Sequence, residues 1–245
     1  MNDDQQPVLA EDISNKTLPE LARNISQISR VDTATGIVKA AFNAVPVFGG
    51  SIASLLDDFI PASREKRLRE FAERVANDIN TIQNLIDTDY VKSDEFAYLF
   101  TRVFQNVTRD YQQSKLNAYR NILVNSLKYN IDDSIKESYL KRVEDLTALH
   151  LDVLSCFHSD LRNQKILGDP RQYYGSFGDL GSTFRKLLPH LNGGHVESAL
   201  FDLDTAGITS NVRNILNTMM TGHGALELEG RLTPYGREFV RFISQ

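Results

Sequence analysis

The side chains that could carry out chemistry in this chain are concentrated in its second half. All five histidines lie beyond residue 147, and so does the single cysteine, Cys156. Metal sites need ligands at fixed short spacings, such as His-Glu-x-x-His or Cys-x-x-Cys, and neither spacing occurs. Cys156 and His158 are two residues apart, so they face different sides of a helix. The sequence therefore predicts structural histidines, a buried thiol, no metal and no cofactor.

One pair of residues, Arg185 and His190, is separated by four residues. This spacing resembles that of the HEPN family of helical RNases. The resemblance implies that Arg185 would be a catalytic cation and His190 a general acid or base at the scissile phosphate. Against it, Pro189 breaks the helix that should carry His190, and Lys186 stands where the family usually has another polar residue. The chain is predicted not to be an enzyme, and a HEPN-like RNase is the third function considered.

The most unusual segment is residues 40–56, AAFNAVPVFGGSIASLL, which contain no charge and are interrupted by Pro46 and Gly49-Gly50. Because a spanning helix needs about 20 apolar residues, the segment predicts two short apolar helices folded about an elbow. We call this predicted element, residues 37–60, the apolar hairpin. Its predicted contact residues, with the basic residues that follow it, are Phe42, Val45, Val47, Phe48, Ile52, Leu55, Leu56, Arg64, Lys66 and Arg67. The hairpin could pack on the rest of the protein, bind a partner, or meet lipid headgroups through the basic residues.

Amphipathic helices with short polar connections follow the hairpin and predict a helical bundle over residues 16–146, after a disordered lead at residues 1–15. The first helix carries Leu68, Phe71, Ala72, Val75, Ile79, Ile82, Leu85 and Ile86. Ser93 or Asp94 caps the next, which carries Phe96, Leu99, Phe100, Val103, Phe104 and Val107. That helix either continues through Gln112 or restarts at Ser114, with Leu116, Tyr119, Ile122, Leu123 and Leu127. A capping box at residues 134–137 predicts the start of another helix.

The composition changes after about residue 147, where glycine becomes frequent and the predicted helices are shorter. The third of these, from about His195 to Ala206, is predicted to end at Gly207. Residues 225–232, ALELEGRL, predict a strand or hairpin arm, and Thr233-Pro234 predicts the start of a last helix. This order is typical of a winged-helix unit, predicted here over residues 147–245. The predicted fold is therefore mainly all-α, a helical bundle followed by a small winged-helix-like α+β unit.

Charge argues against DNA binding by this unit. The helix that would enter the major groove contains Glu197, Asp202 and Asp204 and no lysine or arginine. From Thr147 onward, nine Lys and Arg stand against ten Asp and Glu, so the unit as a whole does not attract phosphates. Nucleic acid is accordingly not a predicted partner, and a DNA-binding transcription regulator is kept as the alternative function.

Five segments within residues 40–160 carry a resemblance to a known family: VPVFGGSIASLLDDFIP, REKRLREFAERV, SDEFAYLFTRVF, KLNAYRNILVNSL and LTALHLDVLSCF. They resemble the Abi-alpha family of bacterial helical proteins, which is linked to abortive infection. The resemblance implies a role in phage defence and supplies no catalytic residues.

Together these features predict a non-enzymatic interaction protein. The chain has 245 residues, a net charge of −5, and an acidic N-terminus without the basic and apolar regions of a signal peptide. With one cysteine, it cannot form an internal disulfide. We therefore expect a cytoplasmic bacterial protein that acts through the apolar hairpin. Its expected contact is a protein partner or a second copy of the chain, with a membrane as the alternative.

Overall fold

The structure is a computed structural model that describes residues 65–158 and 177–244. The helices are α1 (Glu65–Thr81), α2 (Thr88–Val91), α3 (Asp94–Arg109), α4 (Gln113–Lys128), α5 (Asp133–Asp145), α6 (Ala148–Ser155), α7 (Leu180–Leu187), α8 (Gly193–Thr205), α9 (Val212–Ile215), α10 (Gly222–Leu226) and α11 (Pro234–Ile243). Two short 3₁₀ helices lie at Gln83–Leu85 and Glu229–Arg231, and two short strands at β1 (Phe177–Gly178) and β2 (Met220–Thr221). The fold is mainly α-helical, as predicted.

Contacts divide the chain into two compact units. Within the described residues, unit 1 comprises residues 65–111 and 126–133, and unit 2 comprises residues 112–125, 134–158 and 177–244. This division differs from the boundary predicted after residue 146. Residues of α4 and α5 belong with the C-terminal helices because their side chains pack on α11; the ring of Tyr139, for example, lies 5.5 Å from that of Phe239.

Unit 1 is built on the apolar faces of α1 and α3. Ser93 is the N-cap of α3, as predicted, and its hydroxyl accepts a hydrogen bond from the backbone N–H of Phe96. All six predicted stripe residues of α3 are buried. The Phe71 ring packs edge-on against Phe104, with centroids 5.3 Å apart, so α1 and α3 share an aromatic core.

The first helix is shorter than predicted. Its stripe is buried from Leu68 to Ile79, but α1 ends at Thr81 and Leu85 is 61% exposed. The Thr81 hydroxyl donates to the backbone carbonyl of Asp78, and the chain then turns through a 3₁₀ helix. Asp87 caps α2 by accepting hydrogen bonds from two backbone N–H groups. The spacing of the apolar residues alone therefore overestimated the length of α1 by about one turn.

In the next part of the chain, a new helix begins at Gln113, so the polar residues before it form a connection. The predicted stripe of α4 is buried throughout. By contrast, α5 begins at Asp133 and already includes Ser134, so the predicted capping box does not mark its start. The buried residues of α5 include Tyr139, Leu140 and Val143, which are spaced as on one face of a helix.

The prediction of a strand at residues 225–232 is wrong. This segment contains the end of α10 and a 3₁₀ helix. Its buried residues Ala225, Leu228 and Leu232 are three and four positions apart, which is helical spacing, whereas the alternation of Leu and Glu suggested a strand. Within residues 65–158 and 177–244, extended pairing is confined to an isolated bridge between Thr209 and Leu232 and to the antiparallel pair of β1 with β2.

The C-terminal end of α8 and the N-terminal end of α11 are as predicted. Gly207 follows α8 with a φ of 71°, the left-handed conformation that glycine adopts after a helix. Thr233 caps α11 through a hydrogen bond from the backbone N–H of Gly236, and Pro234 occupies the first helical position. Local capping chemistry thus fixes where these two helices end and begin.

Candidate functional site

Most of the predicted contact residues lie outside the described residues. These are Phe42, Val45, Val47, Phe48, Ile52, Leu55, Leu56 and Arg64. Lys66 and Arg67 are described, and their surroundings differ. The Lys66 side chain is 90% exposed, with its ammonium group 3.9 Å from the carboxylate of Glu70. Lys66 therefore remains available to a partner, while Arg67 has a structural role.

Arg67 binds the C-terminal end of α3. Its Nε donates to the backbone carbonyl of Val107 and its Nη2 to that of Thr108, both at 3.0 Å. The last carbonyls of a helix have no partner within the helix and carry the negative end of its dipole. The planar guanidinium satisfies two of them at once. Arg67 was predicted as an interaction residue, but its charge is used inside unit 1.

We expect the Arg67→Met variant to lower the free energy of unfolding by about 1–2 kcal/mol, because two carbonyls lose a charged donor while the apolar stem is kept. Lys66→Met is the matched control, and we expect it to change stability by less than about 0.5 kcal/mol because Lys66 is exposed. Urea unfolding followed by circular dichroism measures both. Equal effects of the two substitutions would show that Arg67 does not stabilise the end of α3.

In unit 2, buried polar side chains of α4 bind backbone carbonyls at the ends of other helices, as Arg67 does in unit 1. Lys115 is 6% exposed, and its Nζ donates to the backbone carbonyl of Glu144, one residue before the end of α5, at 2.9 Å. The Asn121 amide donates to the carbonyl of Ile243 at 2.8 Å, and the Asn125 amide donates to that of Phe242 at 2.7 Å. These amides bind the C-terminal end of α11. One face of α4 therefore stabilises the ends of two other helices.

The capping roles of Lys115, Asn121 and Asn125 do not follow from the local helix signals in the sequence. A usable signal existed, because Asn121 and Asn125 are four residues apart and border the predicted apolar stripe of α4. Buried asparagine is uncommon and is normally hydrogen-bonded. Two such residues on one face therefore indicate specific acceptors, although the sequence does not show that the acceptors belong to α11.

A small cleft lies between α7 and α8. Its apolar and polar lining residues are Gly181, Phe184, Arg185, Gly193, Val196, Glu197, Leu200, Leu216 and Asn217. Its volume is about 20 Å³, which is room for about one water molecule. Ligand sites for small molecules are at least about 300 Å³. The cleft is therefore a packing feature of these two helices and not a substrate site.

Arg185, at the rim of this cleft, is held by the N-cap of its own helix. Its Nη2 donates to the Ser182 hydroxyl at 3.0 Å and lies 3.8 Å from a carboxylate oxygen of Asp179. Asp179 accepts hydrogen bonds from the hydroxyl and the backbone N–H of Ser182, and these bonds lower the pKa of Asp179. The Arg185 guanidinium thus belongs to a local capping network.

The structure does not bring Arg185 and His190 together on one helix. α7 ends at Leu187, and His190 lies in an exposed turn after Pro189. Pro189 follows the helix end closely, as expected for a residue that cannot continue a helix. The helical register that the HEPN-like interpretation required is therefore absent at this place.

Two acidic residues of α8, Asp202 and Asp204, have partners within unit 2. A carboxylate oxygen of Asp204 accepts from the Thr209 hydroxyl at 3.3 Å and lies 3.4 Å from the backbone nitrogen of Val212, which donates to it. Asp202 lies 3.2 Å from a ring nitrogen of His150 in α6. Asp202 is nevertheless largely exposed, with 65% of its side chain accessible. The exposed side of α8 is therefore negatively charged, which opposes contact with DNA phosphates.

The half-buried Tyr90 of unit 1 has a hydroxyl group with a structural role. Burial raises the pKa of Tyr90, and a hydrogen bond with the Asp133 carboxylate raises it further. The phenol therefore stays protonated at neutral pH and acts as a hydrogen-bond donor. This role is structural, since a proton held so firmly is not transferred readily near neutral pH.

Within the described residues, no group of three or more His, Cys, Asp or Glu side chains could hold a metal ion, and no helix is long and apolar enough to cross a membrane. Cys156 is buried, as predicted. No family model matches the chain, and no curated protein or solved structure matches it. The resemblance to the Abi-alpha family therefore stays a prediction made from the sequence.

Proposed function

We propose that this protein is a non-enzymatic interaction protein of bacterial phage defence, which acts through the apolar hairpin at residues 37–60. The observation that carries the proposal is the run of 17 uncharged residues with central Pro and Gly breaks. Such a run is too short and too interrupted to span a bilayer. It is also more apolar than a surface segment needs to be, and large apolar patches are typical of contact sites.

The polar side chains near this segment support a protein contact over a lipid contact. A lipid-binding hairpin needs flanking cations that are free to reach headgroups. Arg67, one of the predicted cations, donates two hydrogen bonds to backbone carbonyls at the end of α3. Lys66 is exposed and remains available. One cation fewer than the sequence suggested is therefore left for an anionic surface, which favours a second copy of the chain or another protein.

The experiment compares the wild type with Phe48→Asp, which places a charge on the predicted contact face. Ser54→Asp adds the same charge at a position that helical spacing places opposite Ile52 and Leu56, and is the matched control. We expect the wild type and Ser54→Asp to form the same complex in sedimentation velocity runs, and Phe48→Asp to lose it. The same proteins are then tested for protection of bacteria against phage infection. Only Phe48→Asp should fail to protect.

Flotation with anionic vesicles tests the membrane alternative. Equal and negligible flotation of all three proteins is the expected result. Flotation of the wild type that Phe48→Asp abolishes would replace the protein contact with a lipid contact. A wild type that neither forms a complex nor protects against phage would contradict the proposed function itself.

A further inference from the structure

His150 links the start of α6 to the exposed side of α8. Its Nδ1 lies 3.1 Å from the backbone nitrogen of Thr147 and 2.7 Å from the Thr147 hydroxyl oxygen. Its Nε2 lies 3.2 Å from a carboxylate oxygen of Asp202. The His150 side chain is only 13% exposed. We propose that His150 is a proton-sensitive clasp, which holds the N-terminus of α6 while it is neutral and releases it when it takes up a proton.

The partners fix the tautomer of the neutral ring. A backbone N–H can only donate, so the Nδ1 that faces Thr147 must present a lone pair. A carboxylate only accepts, so the Nε2 that faces Asp202 must carry the hydrogen. In the other neutral tautomer, an N–H would face the Thr147 N–H and a lone pair would face the carboxylate. Two of the three contacts would then be repulsive, and only the Thr147 hydroxyl would still bind Nδ1. The balance of contacts therefore favours a neutral ring with its proton on Nε2.

Protonation changes the two ends of the ring in opposite ways. Nδ1 gains a hydrogen, can no longer accept from the backbone of Thr147, and can donate only to the Thr147 hydroxyl. At the other end, Nε2–H and Asp202 become an ion pair of opposite charges. Proton uptake therefore removes a capping hydrogen bond from α6 and strengthens the contact with α8. Histidine is the side chain that normally changes charge near neutral pH.

The other charged groups nearby do not take the place of Asp202. The titratable residues of α8 are His195, Glu197, Asp202 and Asp204. Glu197 lines the cleft with α7, and Asp204 binds Thr209 and Val212. On α6 itself, Asp152 is two residues from His150 and so lies on a different face of the helix. Among the described residues, Asp202 is the charged group that contacts His150.

The clasp can be observed directly by NMR on the full-length protein. An N–H···N hydrogen bond gives a measurable scalar coupling between its two nitrogens, here the Thr147 amide nitrogen and His150 Nδ1. We expect this coupling when the imidazole is neutral and its loss when the imidazole is protonated. The imidazole nitrogen shifts should identify Nε2 as the protonated nitrogen of the neutral form. Protection of the Thr147 amide from exchange, corrected for its intrinsic pH dependence, should fall by about fivefold, the equivalent of one typical cap.

The matched control is His150→Gln, because a glutamine oxygen accepts from Thr147 at any pH. In this variant the Thr147 amide should no longer respond to pH over the range in which histidine titrates. His190, in its exposed turn, is an internal control whose protonation should leave Thr147 unchanged. A coupling that persists on the protonated ring, a neutral ring protonated on Nδ1, or a wild-type Thr147 amide that behaves like that of His150→Gln would each overturn the proposal.

Discussion

The Gly236→Ala substitution is expected to destabilise unit 2 by about 3 kcal/mol or more, at the upper end of overpacking effects. A Cβ at Gly236 would overlap the backbone carbonyl oxygen of Ile208 and lie 2.8 Å from its carbonyl carbon. That carbonyl cannot move freely, because it accepts a hydrogen bond from the Thr233 N–H at 3.0 Å. Alanine favours a helix over glycine by about 1 kcal/mol, so a loss of stability would be due to the clash.

Gly230→Ala is the matched control for this prediction. A Cβ at Gly230 would meet side-chain atoms of Glu227 at 3.6 Å, which is an ordinary contact. We expect this variant to unfold within about 0.5 kcal/mol of the wild type. Urea unfolding measures both variants, and amide exchange in α11 shows whether the loss is located there. If Gly236→Ala were as stable as Gly230→Ala, the close approach of α11 to Ile208 would be wrong.

The second large effect is expected at Tyr139, which joins α5 to α11. Tyr139 is 1% exposed, and its ring lies 5.8, 5.5 and 5.2 Å from those of Tyr235, Phe239 and Phe242. Tyr139→Ala should cost about 3–5 kcal/mol, because it removes a large buried ring and leaves a cavity. Tyr139→Phe keeps the ring and should cost about 1 kcal/mol. Tyr111→Ala, at a position that is 74% exposed, is the control and should change stability little.

The hydroxyl of Tyr139 adds a test by pH. Burial, followed by the nearby Glu238 carboxylate, raises the pKa of Tyr139 to about 12. Between the ordinary pKa of about 10 and this value, the unfolded chain loses the phenolic proton while the folded protein keeps it. Stability should therefore fall as the pH rises through this range. The stability of Tyr139→Phe should fall less steeply with pH than that of the wild type. Parallel curves of stability against pH would contradict the raised pKa of Tyr139.

Local patterns predicted most of the helices well. The stripe of α3 and its cap at Ser93, the end of α8 at Gly207, and the start of α11 at Thr233 all follow from signals within a few residues. Each signal has a local physical cause, such as an N–H that needs an acceptor or a φ that only glycine adopts easily. Such features need no knowledge of the rest of the fold.

The predictions failed where the structure of a segment depends on residues that are distant in the sequence. The segment at residues 225–232 alternates like a strand, but its buried positions are those of a helix because Ala225, Leu228 and Leu232 face the core of unit 2. Arg67 was counted among free cations because the sequence cannot show that the carbonyls of Val107 and Thr108 are its acceptors. The predicted apolar hairpin lies outside the described residues, so its prediction stands on the sequence alone.

The bonds from α4 to the end of α11 have a consequence for how the protein is made. Asn121 and Asn125 reach acceptors 122 and 117 residues further along the chain. During synthesis, these amides have no acceptors, and the apolar face beside them stays uncovered, until residues 242 and 243 have left the ribosome. Contacts that distant form slowly and leave apolar surface uncovered meanwhile. Unit 2 should therefore mature only after α11 has been synthesised, and a nascent chain halted before α11 should be a good substrate for chaperones.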